Sequence, residues 1–241
     1  MSGSKKCINK EQVISYKQKI NIALFITLLF HVSGAIGILF TPYKDWFIRY
    51  TPLNLLLMAA LLVFTQRKKN ISFYIFLLIC FGTGMVTEAI GVNTGYLFGN
   101  YVYGEVMGRK LFEVPLLIGI NWFVIIFCAG TVVQKLSDWV YKKIAVEIKP
   151  SVAVQVFSFI TDAALLTTFF DWVMEPVAIK LGFWQWLPNG EIPLYNFLCW
   201  FIISAVLLTA FRFMKFDKHN QFAVHLFMIQ LLFFLVLQTF L

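Results

Sequence analysis

Apolar positions in this chain seldom alternate with polar ones. They run on for about twenty residues at a time and stop at short basic or aromatic stretches. A surface helix carries one apolar stripe, whereas a helix that is apolar all round is buried in protein or lipid. Seven such runs stand out, at 20–40, 52–64, 71–90, 114–133, 152–171, 193–211 and 222–241. A spanning helix needs about 17–25 residues. The second run falls short and reaches that length only if 46–50 joins it. The pattern therefore predicts an all-α, polytopic membrane protein of about seven transmembrane helices. Residues 1–19 read as a basic N-terminal segment and 20–241 as a single transmembrane domain.

Composition agrees: the chain is 60% hydrophobic and 13% charged, against about a quarter charged in globular domains. The net charge of +8 would suggest nucleic acid in a soluble protein, but the positions of the charges give another reason for it. Lys5, Lys6, Lys10, Lys17 and Lys19 precede the first run. Arg67, Lys68 and Lys69 follow the second, Lys135, Lys142, Lys143 and Lys149 the fourth, and Arg212, Lys215 and Lys218 the sixth. Those fifteen share one side; Lys44, Arg49, Arg109, Lys110 and Lys180 are on the other. Basic loops stay in the cytoplasm, so the expected topology is a multi-pass protein of the cell (inner) membrane, N-terminus inside and C-terminus outside. No nucleic-acid partner is called for, and membrane lipid is the neighbour. The first run is too long for a signal-peptide core and more spans follow it. Cys7, Cys80, Cys128 and Cys199 form no C-x-x-C pair and read as small apolar residues.

Two loops on the outer side echo each other. Glu88 and Gly95 are seven positions apart, as are Glu175 and Gly182, and Glu-Val-Pro-Leu (113–116) and Glu-Ile-Pro-Leu (191–194) open the next helices. Thr51-Pro52-Leu53-Asn54 is a fainter third copy. The spans thus read as three helical hairpins of the same sense plus a final helix, a plan known in membranes. Equivalent loops would then meet at one cavity on the outer face.

Five acids, Glu88, Glu113, Asp171, Glu175 and Glu191, fall at outer span ends or in outer loops. Asp171 and Glu175 are one helical turn apart and share a face. Asp162, nine residues before Asp171, faces the other way, toward a neighbouring helix. Carboxylates at headgroup depth can simply be solvated; within a span they face a cavity or the bundle interior. His31, mid-span beside Gly34 and Gly37, reads either as a histidine bonded to a backbone carbonyl or as a polar contact in the same cavity. Tyr96, Phe98, Tyr101, Tyr103, Trp184 and Trp186 crowd the two acid-bearing loops. Interface belts account for some of them.

Carboxylic acids among aromatic rings suit acid-catalysed addition of water to an alkene. One acid protonates a carbon, aromatic faces stabilise the cation, and a second carboxylate holds the attacking water. The substrate would be a lipid entering from the bilayer. No H-E-x-x-H or paired Cys/His spacing marks a metal site, and the chemistry needs no cofactor.

The stretch E-A-I-G-V-N-T-G-Y-L-F-G-N-Y-V-Y (88–103) followed by G-R-K-L-F-E-V-P (108–115) resembles the signature of bacterial and archaeal carotenoid biosynthesis membrane proteins. D-W-V-M-E-P-V (171–177), G-F-W-Q-W (182–186) and P-L-Y-N-F-L-C-W (193–200) resemble its later blocks. Members include carotenoid 1′,2′-hydratases and bisanhydrobacterioruberin hydratases. The resemblance implies water addition to the terminal double bond of an acyclic ψ end group, giving a tertiary alcohol. The substrate identity comes from the resemblance alone, and other carotenoid-pathway enzymes are implied partners.

Glu88, Asp171 and Glu175 match the acidic positions, and Asn93, Gly95, Phe98, Gly99, Tyr101, Tyr103 and Asn196 the loop positions. Asp171 or Glu175 is expected to donate the proton and Glu88 to position water, with Tyr101, Tyr103, Trp184 and Trp186 around the polyene end. Glu113 and Glu191 depart from the pattern, which has glycine before Val-Pro; Glu175 stands where aspartate is common. A carotenoid cyclase would form the same cation and then lose a proton. A carotenoid-binding or transport protein would perform no chemistry. A retinal protein would need a lysine in the last helix, and 222–241 holds none.

Overall fold

The computed structural model describes residues 10–144 and 150–241. Lys5, Lys6, Cys7 and Lys149 lie outside the described residues. Seven helices, all long and apolar enough to cross a membrane, make up nearly all of the described fold: α1 (Lys10–Phe40), α2 (Lys44–Thr65), α3 (Ile71–Thr94), α4 (Leu116–Ile144), α5 (Val152–Lys180), α6 (Leu194–Phe213) and α7 (Gln221–Phe240). The protein is a polytopic α-helical membrane protein, as the apolar runs predict.

The helix ends differ from the sequence reading in four places, the first being α4, which runs on past Val133 to Ile144 and takes in Lys135, Lys142 and Lys143. Lys10–Lys19 is not a separate segment but the first turns of α1. α2 begins at Lys44, so Pro52 lies inside it, and Thr51-Pro52-Leu53-Asn54 does not open a helix as the other two copies do. α5 runs on past Asp171 to Lys180 with Pro176 inside it. Proline is tolerated inside a spanning helix because neighbouring groups can satisfy the freed backbone.

α4 is the axis of the bundle. Of its apolar window 78% is buried, against 17–39% in the other six. Its sequence explains the difference, since Trp122 to Ala129 is apolar on every side and each of those residues is buried. The remaining helices pack around it in the order α3, α6, α5, α7, α1, α2. On their outward faces large apolar side chains such as Phe25, Leu78, Phe157 and Leu232 are exposed, which suits a lipid solvent and not water. Asp162 also faces outward, bonded by Ser158 Oγ at 3.1 Å, so it packs against no helix of this bundle.

Between α3 and α4 lie β1 (Tyr101–Tyr103) and a hairpin of β2 (Lys110–Leu111) and β3 (Val114–Pro115); between α5 and α6 lies β4 (Trp184–Trp186). β1 pairs antiparallel with β4, Tyr101 opposite Trp186 and Tyr103 opposite Trp184. The two echoing loops are therefore bound to each other. Gly95 and Gly182, their equivalent glycines, adopt φ of +70° and +73° after α3 and α5, a left-handed stop that glycine makes without strain.

Candidate functional site

α3 delivers Glu88 and α5 delivers Asp171 and Glu175 to the end of the bundle where both helices finish. All three are buried, at 5%, 0% and 3% exposure, and line one cavity of about 30 Å³ together with Asn196 and a wall of aromatic rings. That volume holds about one water. The cavity forms between the second and third hairpins, as the repeat predicts for those two.

β1 and β4 explain how the acids are held. Side chains alternate along a strand, so Tyr101 and Tyr103 point the same way, as do Trp184 and Trp186. Tyr101 and Tyr103 donate to Glu88 Oε2 at 2.5 and 2.7 Å, and Trp122 Nε1 donates to Oε1 at 3.0 Å. Trp184 Nε1 and Trp186 Nε1 both donate to Glu175 Oε2 at 2.9 Å. Each strand thus supplies two donors to the glutamate of its own hairpin. Burial first, and then the charge of Glu88, pushes the Tyr101 and Tyr103 phenols well above their usual range, so they stay protonated and donate. Asp171 is held differently. Asn196 Nδ2 donates to its Oδ2 at 2.9 Å and lies 3.5 Å from Glu175 Oε1. Asp171 Oδ1 is buried with no partner among the described residues.

Of the residues singled out in the sequence, Glu88, Asp171, Glu175, Phe98, Tyr101, Tyr103, Trp184, Trp186 and Asn196 line this cavity. Three do not. Asn93 is exposed and ties α3 to the β2–β3 turn, donating to Phe112 O at 3.1 Å. Tyr96 is 79% exposed; its carbonyl accepts from Tyr195. His31 lies in a separate cavity among α1, α2 and α7, because the first hairpin packs on α7 and does not reach the acids. Glu113 and Glu191 are exposed outside the site. Glu113 sits at φ +64°, a conformation that favours glycine.

Trp122 and Trp200 line the cavity too and were not anticipated. They stack at 4.0 Å with planes 10° apart. Each lies seven residues after the proline of its tetrad, Pro115 or Pro193, so the repeat frame marks them as equivalent. Room for the stack comes from Gly84, whose added Cβ would meet Trp122 at 2.6 Å.

The fold and the buried, hydrogen-bonded carboxylates define an α-helical membrane protein with a buried acid site at one end of its bundle. A family model described as carotenoid biosynthesis protein matches residues 50–241, so the chain belongs to the carotenoid biosynthesis protein family. It is 25% identical over 198 residues to the bisanhydrobacterioruberin hydratase of Haloarcula japonica, an alignment covering 80% of this chain. The chain spans 61% of the length of that relative. No solved structure matches it.

Proposed function

We propose that this protein is a carotenoid hydratase that adds water, by acid catalysis, to the terminal carbon–carbon double bond of an acyclic end group. The observation that carries this reading is Asp171, a fully buried carboxyl with one unpartnered oxygen on a water-sized cavity it shares with two donor-laden glutamates. A carboxylate oxygen without a donor is costly to bury, whereas a protonated one is far less so. Asp171 is therefore the proton donor. Glu88 and Glu175, each accepting two or more donated hydrogen bonds, are the carboxylates.

In the reaction Asp171 gives its proton to the less substituted alkene carbon, leaving a tertiary cation on the other. Trp122, Trp186 and Tyr101 offer ring faces to that cation. Glu88 holds the water, which adds through oxygen as its proton passes to the carboxylate. Return of that proton to Asp171 leaves the enzyme as it began, with one alkene and one water converted to one tertiary alcohol. The cavity holds the water but not the hydrocarbon, so the alkene enters by moving the half-buried Trp184. The asymmetry of the basic residues supports an acid end on the outer side of the membrane, to be reached by the carotenoid end from the bilayer.

The test is expression in a host that accumulates lycopene, with the pigments analysed by mass spectrometry. A product heavier by one water is expected, and Asp171→Asn should lower it by about 10²–10⁴-fold, the usual contribution of a positioned acid. Glu88→Gln and Glu175→Gln should each lower it too. A more cyclic pigment of unchanged mass would instead mean a cyclase, and unchanged pigment beside folded protein would leave carriage as the function.

A further inference from the structure

A second cavity, of about 390 Å³, lies among α1, α2 and α7, with Phe183 also on its wall. It has the size of a ligand pocket, thirteen-fold larger than the acid cavity. Its wall is largely apolar; besides Trp46, Tyr50 and Thr51 it carries His31, Asn54 and Gln230. His31 Nδ1 lies 2.8 Å from the carbonyl of Thr27. A carbonyl only accepts, so Nδ1 carries the hydrogen and Nε2 of the neutral ring is left as an acceptor. Phe233 packs edge-on against the ring, 5.2 Å between centroids. Asn54 Oδ1 is buried without a partner among the described residues. Gln230, 5% exposed, has an amide with no hydrogen bond to any described residue.

Buried polar groups are almost always bonded, so the unpartnered Asn54 Oδ1, with His31 Nε2 and the Gln230 amide on the same cavity, calls for a ligand with a matching polar group. Two of the free atoms, His31 Nε2 and Asn54 Oδ1, accept hydrogen bonds. A ketone, ether or hydrocarbon offers them nothing. A hydroxyl can donate to one of them and accept from the Gln230 amide. Thr51, also on this wall, is already committed to Phe47 O at 3.2 Å.

We propose that the α1–α2–α7 cavity binds an isoprenoid or other long-chain lipid alcohol, its hydroxyl held by His31, Asn54 and Gln230 and its hydrocarbon by the phenylalanine wall. This site is distinct from the acid cavity, and its occupancy does not depend on hydration being the reaction. Phe183, on its wall, is the chain neighbour of Trp184, which bonds Glu175. A hydrated carotenoid end and a bilayer isoprenol present the same hydroxyl, and the test separates these sources.

The test uses the purified full chain in detergent and reads quenching of tryptophan fluorescence, Trp46 being on the cavity wall. The probes are geranylgeraniol, its hydrocarbon analogue without the hydroxyl, and an acyclic carotenoid carrying one tertiary hydroxyl beside lycopene. Each alcohol should bind about tenfold more tightly than its hydrocarbon counterpart, the worth of one to two net hydrogen bonds. Preference confined to the hydroxylated carotenoid identifies the hydrated end as the occupant; preference for both identifies a general lipid-alcohol site. Asn54→Leu and Gln230→Leu, close to isosteric, should erase the preference while leaving hydrocarbon affinity and the thermal midpoint unchanged. Equal binding of alcohol and hydrocarbon, or a preference that survives both substitutions, overturns the proposal.

Discussion

At the scale of single residues, the site separates three carboxyls of similar chemistry by the donors each receives. Glu175 shows how finely this can be probed. Trp184 and Trp186 both donate to its Oε2, and the Trp186 ring also lies 5.0 Å from Tyr101. Trp186→Phe keeps an aromatic ring and removes the N–H. Hydrogen bonds to a charged group contribute about 1.5–3 kcal/mol, so this variant should lower product formation by about tenfold or more at near-wild-type thermal stability. A collapse in the melting curve would mean that Trp186 serves packing. The acids were legible in the sequence because carboxylates in an apolar chain need a reason. Asn93 and Tyr96 were misplaced because a motif records neighbours along the chain, whereas their side chains point away from the cavity that Phe98 and Tyr101 enter. His31 failed for another reason. Its depth in α1 could be read, but the α1–α7 packing that carries it into a different cavity leaves no periodic mark.

At the scale of elements, helix starts were legible where a side chain caps them. Asn70, Ser151 and Asn220 cap α3, α5 and α7 through their side chains, and the apolar runs begin within two residues of each. The end of α5 was hidden because Pro176 reads as a stop signal in water. α2 was truncated in the reading because Lys44 to Tyr50 is polar and aromatic, an interfacial turn that composition alone does not separate from a loop. Asn220 does more than cap. Its Oδ1 accepts from Ala223 N at 3.3 Å, and its Nδ2 lies 3.3 Å from Leu62 O and 3.2 Å from Gln66 Oε1, tying the start of α7 to the end of α2. Asn220→Ala removes the cap and leaves those acceptors buried. It should cost about 1–3 kcal/mol, read as a lower midpoint in thermal unfolding in detergent. Activity per folded molecule should persist, since the acids lie at the opposite end of the bundle.

At the scale of the whole molecule, the second and third hairpins form a pair about the antiparallel β1–β4 contact. Glu88 and Glu175, Gly95 and Gly182, and Trp122 and Trp200 occupy corresponding places in the two halves. Asp171 breaks the correspondence: four residues before Glu88 stands Gly84, the residue that makes room for Trp122. One half thus supplies an extra acid where the other supplies space, a division visible only once both halves face the same cavity. We propose a direction for this assembly in the membrane, N-terminus in the cytoplasm, on the asymmetry of its charge. By sequence alone, fifteen of the twenty basic residues fall in the N-terminal stretch and the loops that alternate with the acid-bearing ones, and short basic loops are retained in the cytoplasm. Cys80, Cys128 and Cys199 are buried, so after Cys7→Ser the protein suits single-cysteine labelling. Glu105, with its side chain 93% exposed, lies in the loop before α4, and Lys68 lies in the loop before α3 at the other end. A membrane-impermeant maleimide applied to intact cells should label Glu105→Cys and spare Lys68→Cys until the cells are opened. The reverse pattern would put the carboxylates at the cytoplasmic face, and carotenoid ends would then be modified from inside the cell.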